Sequence, residues 1–364
     1  MQRTTDTTRY YLGFNRVNGI GPARLERLIE RLGSVAAAWH ASPGELMAAG
    51  LDPKAIKALV AARGSIDLDA ELEQVRRAGL TAITREHPDY PENLTHIPLP
   101  PPLIFARGRL TPDDSWAVAV VGTRSPTSYG REVTRRLASE LAEAGVTVVS
   151  GLALGVDSIA HSAALEAGGR TIAVLPCGPD YVYPERHRDL AARIAGSGAL
   201  VSEFPLGQRA TPQLFPVRNR LISGLARGVV VVEAGAASGS LITVEYALDQ
   251  GRDVFAVPGS IYSRMSEGTN QLIRNGAMLV TCAQDILDAL NLGAAASQRE
   301  VRAALPEDET EATMLALVTY EPQHADALAR TANMPIATVS ATLAVLELKG
   351  LVRQAGPMQY VLAR

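Results

Sequence analysis

Two cysteines, Cys177 and Cys282, are all that this chain of 364 residues contains, and each ends an apolar run. Thiols so far apart make no disulfide framework; they read as small buried or half-buried side chains in a reducing cytosol. Neither sign of charge is in excess: 35 Lys and Arg stand against 38 Asp and Glu, a net of −3. That excludes a polyelectrolyte that coats nucleic acid, but not a local basic groove. No stretch approaches the roughly 20 apolar residues that span a bilayer, so no membrane partner is expected. The first residues, MQRTTDTTRYYLGF, lack an apolar core and do not read as a signal peptide. No Gly-Lys-Ser/Thr loop and no GxGxxG occurs, which weakens NTPase and dinucleotide readings. The six histidines show no metal-binding spacing, and there is no GxSxG elbow. No metal or cofactor is therefore expected, and catalysis has little support.

What is present divides the chain. Residues 1–85 carry apolar residues at helical spacing and the only net positive charge. Val17-Asn18-Gly19-Ile20-Gly21-Pro22, between two predicted helices, resembles a helix-hairpin-helix turn, whose glycine amides can approach a phosphate. The preferred alternative is a plain helical-bundle cap in which Gly21-Pro22 is simply a helix start. Residues 86–115 form a proline-rich lead-in, with Leu103–Ala106 as a short edge strand. Residues 86–292 as a whole read as one domain. From 116 onward strand and helix signals alternate, the pattern of a doubly wound, mostly parallel α/β sheet of Rossmann type. Residues 293–310 read as a linker. Residues 311–364 read as three helices and a hairpin, a winged helix. Its third helix, PIATVSATLAVLELKG, has one lysine and no Arg, Asn or Gln. A DNA-reading helix needs such groups, so a protein-contact or accessory role is favoured over sequence-specific reading.

In a parallel sheet, loops after the strands collect at one rim, where ligands bind. Four such loops stand out here: Gly122-Thr123-Arg124, Ser150-Gly151, the stretch from Phe215 to Arg220, and Ser238-Gly239-Ser240. The third is read as a loop ending in Arg218-Asn219-Arg220, followed by a short helix from Leu221 to Ala226. Aromatic and arginine side chains beside amide-lined pockets suit single-stranded nucleic acid, with the backbone neutralised and a base stacked. Arg124 and Arg218 are expected to face a ligand. Arg220 could serve a ligand or pair with Glu233, Phe215 could stack or be core, and Asn219 could cap a helix. Asp157 reads as a helix N-cap. Glu203 and Glu233, ending neighbouring strands, leave open an alternative, a nucleotide or nucleoside hydrolase.

These residues also carry a resemblance. GTRSPTSYG at 122–130, SGLALGVD at 150–157, LPCGPDYVYP at 175–184, SEFPLG at 202–207, FPVRNRLISGL at 215–225, VVVEAGAASGSLIT at 230–243, GRDVFAVPGS at 251–260 and EGTNQLIRNGA at 267–277 are similar to the DNA-processing protein A (DprA, or Smf) family, nearly end to end. The resemblance implies an extended Rossmann core that binds single-stranded DNA without sequence preference. It also implies a homodimer, and a role in natural transformation: protecting incoming strands and loading the RecA recombinase. DNA contacts carry over to Arg124, Ser150-Gly151, Phe215 and Arg218-Asn219, with Gly239–Thr243 as a pocket wall. A lysine that some members place before the phenylalanine has no counterpart; Arg209 is the candidate substitute. Dimerisation at the end of the sheet domain implies the helix Ala283–Leu290, with Ile286, Leu287 and Leu290 as its stripe. The same stripe suits a core-facing helix equally well.

Overall fold

The computed structural model describes residues 2–292, 309–319, 321–349 and 351–362. They belong to two compact units, 1–293 and 294–364. Six helices open the first unit: α1 (Gln2–Asn15), α2 (Pro22–Leu32), α3 (Val35–His40), α4 (Pro43–Ala48), α5 (Pro53–Ser65) and α6 (Leu68–Arg77). Proline occupies the first turn of α2, α4 and α5, where its missing N–H costs nothing. Ser34, Ser42, Asp52 and Asp67 cap α3 to α6 with side-chain oxygens.

The stretch up to residue 85 is not wholly helical. Thr81–Thr84 is strand β1, paired antiparallel with β2 (Leu103–Gly108). Nor is β2 an edge, since it lies between β1 and β6. The reason is in its side chains. Leu103 and Phe105 pack into the core of the six helices, while Ile104 and Ala106 pack into the core of the sheet. A strand covered on both faces suits the interior. The proline-rich lead-in also holds one helical turn, α7 (Glu92–Thr95).

The sheet continues with β3 (Ala117–Val121), β4 (Thr147–Ser150), β5 (Thr171–Val174), β6 (Ala199–Ser202), β7 (Gly228–Val231), β8 (Asp253–Ala256) and β9 (Met278–Leu279). Helices α8 (Ser128–Glu143), α9 (Val156–Glu166), α10 (Arg188–Ser197), α11 (Leu214–Gly224), α12 (Ser240–Asp249), α13 (Glu267–Arg274) and α14 (Ala283–Ala289) alternate with them. The strand order is β1-β2-β6-β5-β4-β3-β7-β8-β9, parallel from β6 to β9. The chain winds outward from β3 to β6, then returns to the far side of β3 as β7. That reversal opens a crevice beyond the ends of β3 and β7.

Alternate residues of each strand serve opposite faces. Ala119, Val121, Val229 and Val231 meet α11 and α12, whereas Val118, Val120, Val230 and Val232 meet α8, α9 and α14. Ile286 and Leu287 of α14 are spent in this second layer, with Leu290 packed against it. The stripe expected at a dimer interface is thus covered by the chain's own core.

The second unit is a winged helix. It comprises α15 (Glu309–Leu317), α16 (Ala325–Ala332), α17 (Ile336–Leu348) and the strands β10 (Gln323–His324), β11 (Val352–Gly356) and β12 (Gln359–Leu362), ordered β10-β12-β11. The outward positions of α17 include Ile336, Ala337, Thr338, Ala341, Ala344 and Val345. Lys349, just past its end, is paired with Glu311 at 2.8 Å. The linker assigned to 293–310 falls almost entirely outside the described residues. Among those described, no helix is long and apolar enough to cross a membrane.

Candidate nucleic-acid interface

Gly122, directly after β3, lets the chain turn sharply. A Cβ there would fall 2.9 Å from the carbonyl oxygen of Glu233 and 2.7 Å from Val156. Thr123 N donates to that same carbonyl at 2.7 Å, so the loops after β3 and β7 are stitched together. Arg124 projects from this stitch into solvent, its guanidinium 5.2 Å from the ring centre of Phe215.

Phe215 is not in a loop. The stretch expected to be loop and then short helix is one helix, α11, running from Leu214 to Gly224. Asn219 is therefore within a helix and caps none. On α11 the spacing of residues decides their roles. Phe215 faces the crevice half-buried, Arg218 and Asn219 turn inward, and Arg220 leaves on another side.

Arg218 was expected to face a ligand, yet it is only 3 % exposed. Its guanidinium donates to the carbonyl oxygens of Gly151 (2.6 Å) and Val174, and its Nε to Asn219 Oδ1 at 3.2 Å. It thus ties α11 to the ends of β4 and β5. Burial pulls its pKa down to about 10, with the charge of Asp157 opposing, so it remains a cation at neutral pH. Asp157 is not the N-cap of α9; Gly155 is. The Asp157 carboxylate instead accepts from Gly151 N and Ala153 N, at 3.1 and 3.2 Å. Burial raises its pKa, against the lowering pull of Arg218 and those amides.

Arg220 pairs with Glu203, not Glu233, and also donates to the carbonyl of Leu99 at 3.0 Å. Glu233 is 2 % exposed and accepts from Thr127 N (2.8 Å) and Thr127 Oγ1 (2.6 Å), bracing the start of α8. Both rim carboxylates are engaged by neighbours, Glu203 through one oxygen only, its Oε1 being buried without a partner among the described residues.

A cleft of about 630 Å³ results. Of the residues expected at a site, it is lined by Gly122, Arg124, Phe215, Arg218, Asn219, Ser238, Gly239, Ser240 and Thr243. Thr123, Ser150, Gly151, Arg209 and Arg220 lie outside its lining. Ser150 is fully buried and donates to Val120 O at 2.6 Å. Arg209 is exposed and lies 3.7 Å over the ring of Tyr181. Ser238 and Ser240 bond to each other at 2.8 Å where α12 begins, so the positive end of that helix dipole faces the cleft. Sequence reasoning missed Tyr183. It is 46 % exposed, lines the cleft and meets Phe215 edge to face at 5.5 Å. The signal was available: an aromatic just before Pro184, in the loop after β5, at the rim.

A Rossmann-like parallel sheet, a rim cleft walled by arginine, aromatics and a helix N-terminus, and a winged helix together define a nucleic-acid-handling α/β protein. Comparison with known proteins specifies which kind. Residues 81–291 match the family of DNA recombination-mediator protein A, and residues 298–356 match the DprA winged helix domain. The chain belongs to the DNA recombination-mediator protein A (DprA/Smf) family. It is 36 % identical to Protein Smf of Synechocystis, over 96 % of this chain and 98 % of that protein. It is 42 % identical to Protein Smf of Escherichia coli, over 76 % and 75 %. Among solved structures it is similar to DNA processing protein A of Streptococcus pneumoniae (35 % identity, TM-score 0.68, 77 % of this chain and 97 % of that one). It is also similar to DNA processing protein A of Helicobacter pylori, described for its single-stranded DNA binding mode (31 % identity, TM-score 0.53, 58 % and 95 %).

Proposed function

We propose that the chain binds single-stranded DNA, without regard to sequence, in the cleft beyond β3 and β7. The observation that carries this reading is the stack of Arg124 on Phe215, with Tyr183 at the ring's edge and the start of α12 across the cleft. A base can stack against the aromatics while the backbone is neutralised by Arg124 and the helix amides, and neither interaction reads sequence. Arg218 holds the cleft's shape and adds its buried charge from below. Arg209, kept extended on Tyr181, takes the place of the family lysine at the cleft's outer margin.

On this reading the protein is a cytoplasmic, non-catalytic recombination mediator that protects incoming strands in natural transformation and passes them to the RecA recombinase. The covered positions of Glu203 and Glu233 weigh against a hydrolase. The protein acts as a homodimer. Because Ile286, Leu287 and Leu290 are spent in the core, the dimer surface moves to the open edge of the sheet, where Met278 and Leu279 of β9 are 38 % and 49 % exposed. An unpaired apolar edge strand invites a partner.

Fluorescence anisotropy with single- and double-stranded oligonucleotides of equal length, across a salt series, tests the reading. Preference for the single strand, with affinity falling as salt rises, is expected. Equal affinity for both forms would end it.

A further inference from the structure

Among the described residues, the most exposed aromatic side chain lies outside the cleft. Tyr262 is 93 % exposed, and Ile261 beside it is 84 % exposed. They are the two central residues of a tight turn closed by Ser263 N donating to Ser260 O at 3.0 Å. Turn centres ordinarily hold Gly, Pro, Asn, Asp or Ser, so Ile and Tyr there give the fold nothing.

The turn is nevertheless held firmly at its base. Tyr129 Oη donates to Pro258 O at 2.8 Å, and the Asn270 side chain bonds both Gly259 N (3.2 Å) and Gly259 O (3.0 Å). Gly259 sits against Ser266 so closely that a Cβ would fall 2.1 Å from its hydroxyl. The turn follows β8, which is parallel to β7, so it stands on the same rim as the cleft. It is joined to the loop that walls the cleft, because Gly268 N donates to Ala234 O at 2.8 Å. Arg264, exposed beside the turn, makes no side-chain hydrogen bond or ion pair among the described residues.

The geometry points to a second stacking platform for single-stranded nucleic acid. Tyr262 takes a base of the strand after it has left the cleft past Ser238–Ser240, and Arg264 meets a phosphate beside it. An aromatic paired with an unengaged arginine on a braced support, contiguous with the cleft wall, is the composition that a sequence-blind track uses. This rests on the proposed function of the cleft.

The test compares oligothymidylates of six and twenty nucleotides, the shorter able to occupy only the cleft. Tyr262→Ala should weaken binding of the longer strand about fivefold or more and leave the shorter one unchanged, while Tyr262→Trp should bind both as the unaltered protein does. Arg264→Ala should flatten the salt dependence for the longer strand only. If the unaltered protein binds neither strand, the reading of the cleft falls. If it binds both and Tyr262→Ala matches it at both lengths, the platform is overturned. A Tyr262→Ala protein that changes its mass in light scattering also overturns it, by assigning the turn to a contact with a second copy.

Discussion

Arg218 Nη1 lies 2.6 Å from the carbonyl oxygen of Gly151, and a Cβ on Gly151 would fall 2.6 Å from Arg218 Nη2. The guanidinium occupies the space that a side chain at 151 would need. The site thus has two arginines with separate duties, Arg218 as a brace within the fold and Arg124 as the exposed cation.

Replacing Arg218 with alanine should therefore act first on stability. It strands the Gly151 and Val174 carbonyls and removes the positive charge that offsets the burial of Asp157. A loss of roughly 2–5 kcal/mol, about 1–3 for each stranded carbonyl, is expected in denaturant unfolding. Binding would fail as a consequence.

Arg124→Ala and Phe215→Ala should do the reverse. Arg124 is exposed and Phe215 half-buried, so unfolding should shift little for either. Single-strand affinity should drop about tenfold in anisotropy, in line with roughly 1–3 kcal/mol per stacked base. Arg124→Ala should also lower the salt slope by about 0.7, one phosphate contact on a single strand.

The Arg220–Glu203 pair is largely but not fully buried, its side chains 14 % and 11 % exposed. Burial raises the Glu203 pKa, and Arg220 pulls it back down. Glu203→Leu alone should destabilise by about 1–3 kcal/mol, by leaving a largely buried guanidinium with only the Leu99 carbonyl to accept from it. The double variant Arg220→Met/Glu203→Leu should regain most of that loss in thermal or chemical melts.

His161 gives the fold an acid sensitivity of defined sign. Thr171 Oγ1 donates to Val148 O at 2.7 Å, so it accepts from His161 Nδ1 at 2.6 Å. Nε2 is left buried without a partner. Burial lowers the pKa to about 3, whereas the unfolded chain binds the proton near 6.5. Stability from this group is thus full above pH 6.5 and declines as pH falls toward 3, by up to about 1.4 kcal/mol per unit. The unfolding free energy of the unaltered protein minus that of His161→Gln should stay level above pH 6.5 and decrease below it.

Leu279→Asp on the open edge of β9 should convert the proposed dimer to a monomer in light scattering, with the cleft intact, because Leu279 is half exposed and is not one of the lining residues.

Much of the sheet could be read from the sequence because the parallel strands are mostly short, β-branched apolar runs, several of them entered or left at a glycine. Thr147–Ser150 and Ala199–Ser202 are strands of this kind, and the helix Ile336–Leu348 follows Pro335 as an uninterrupted apolar-rich run. Pairing was harder. Thr81–Thr84 is too short to show a period, and it becomes a strand only because β2 lies beside it. In the site, residue types were legible but directions were not. Helical phase within Leu214–Gly224 sends Phe215 outward and Arg218 inward, and reading that stretch as a loop hides the difference. The bracing of Glu203 by Arg220 depends on contact between distant segments, which no local pattern encodes.

The pairing of β2 has a consequence for how the chain comes to exist. Phe105 lies opposite Ser202, so one long side of β2 has no partner until β6 has been synthesised. Asn15 donates to Glu203 O at 2.9 Å and Arg16 to Leu206 O at 3.3 Å, so the first helices wait for the same late segment. A nascent chain released from the ribosome before residue 202 would carry an open apolar edge. The N-terminal third is thus the part most in need of shielding during synthesis, although it is the first to emerge.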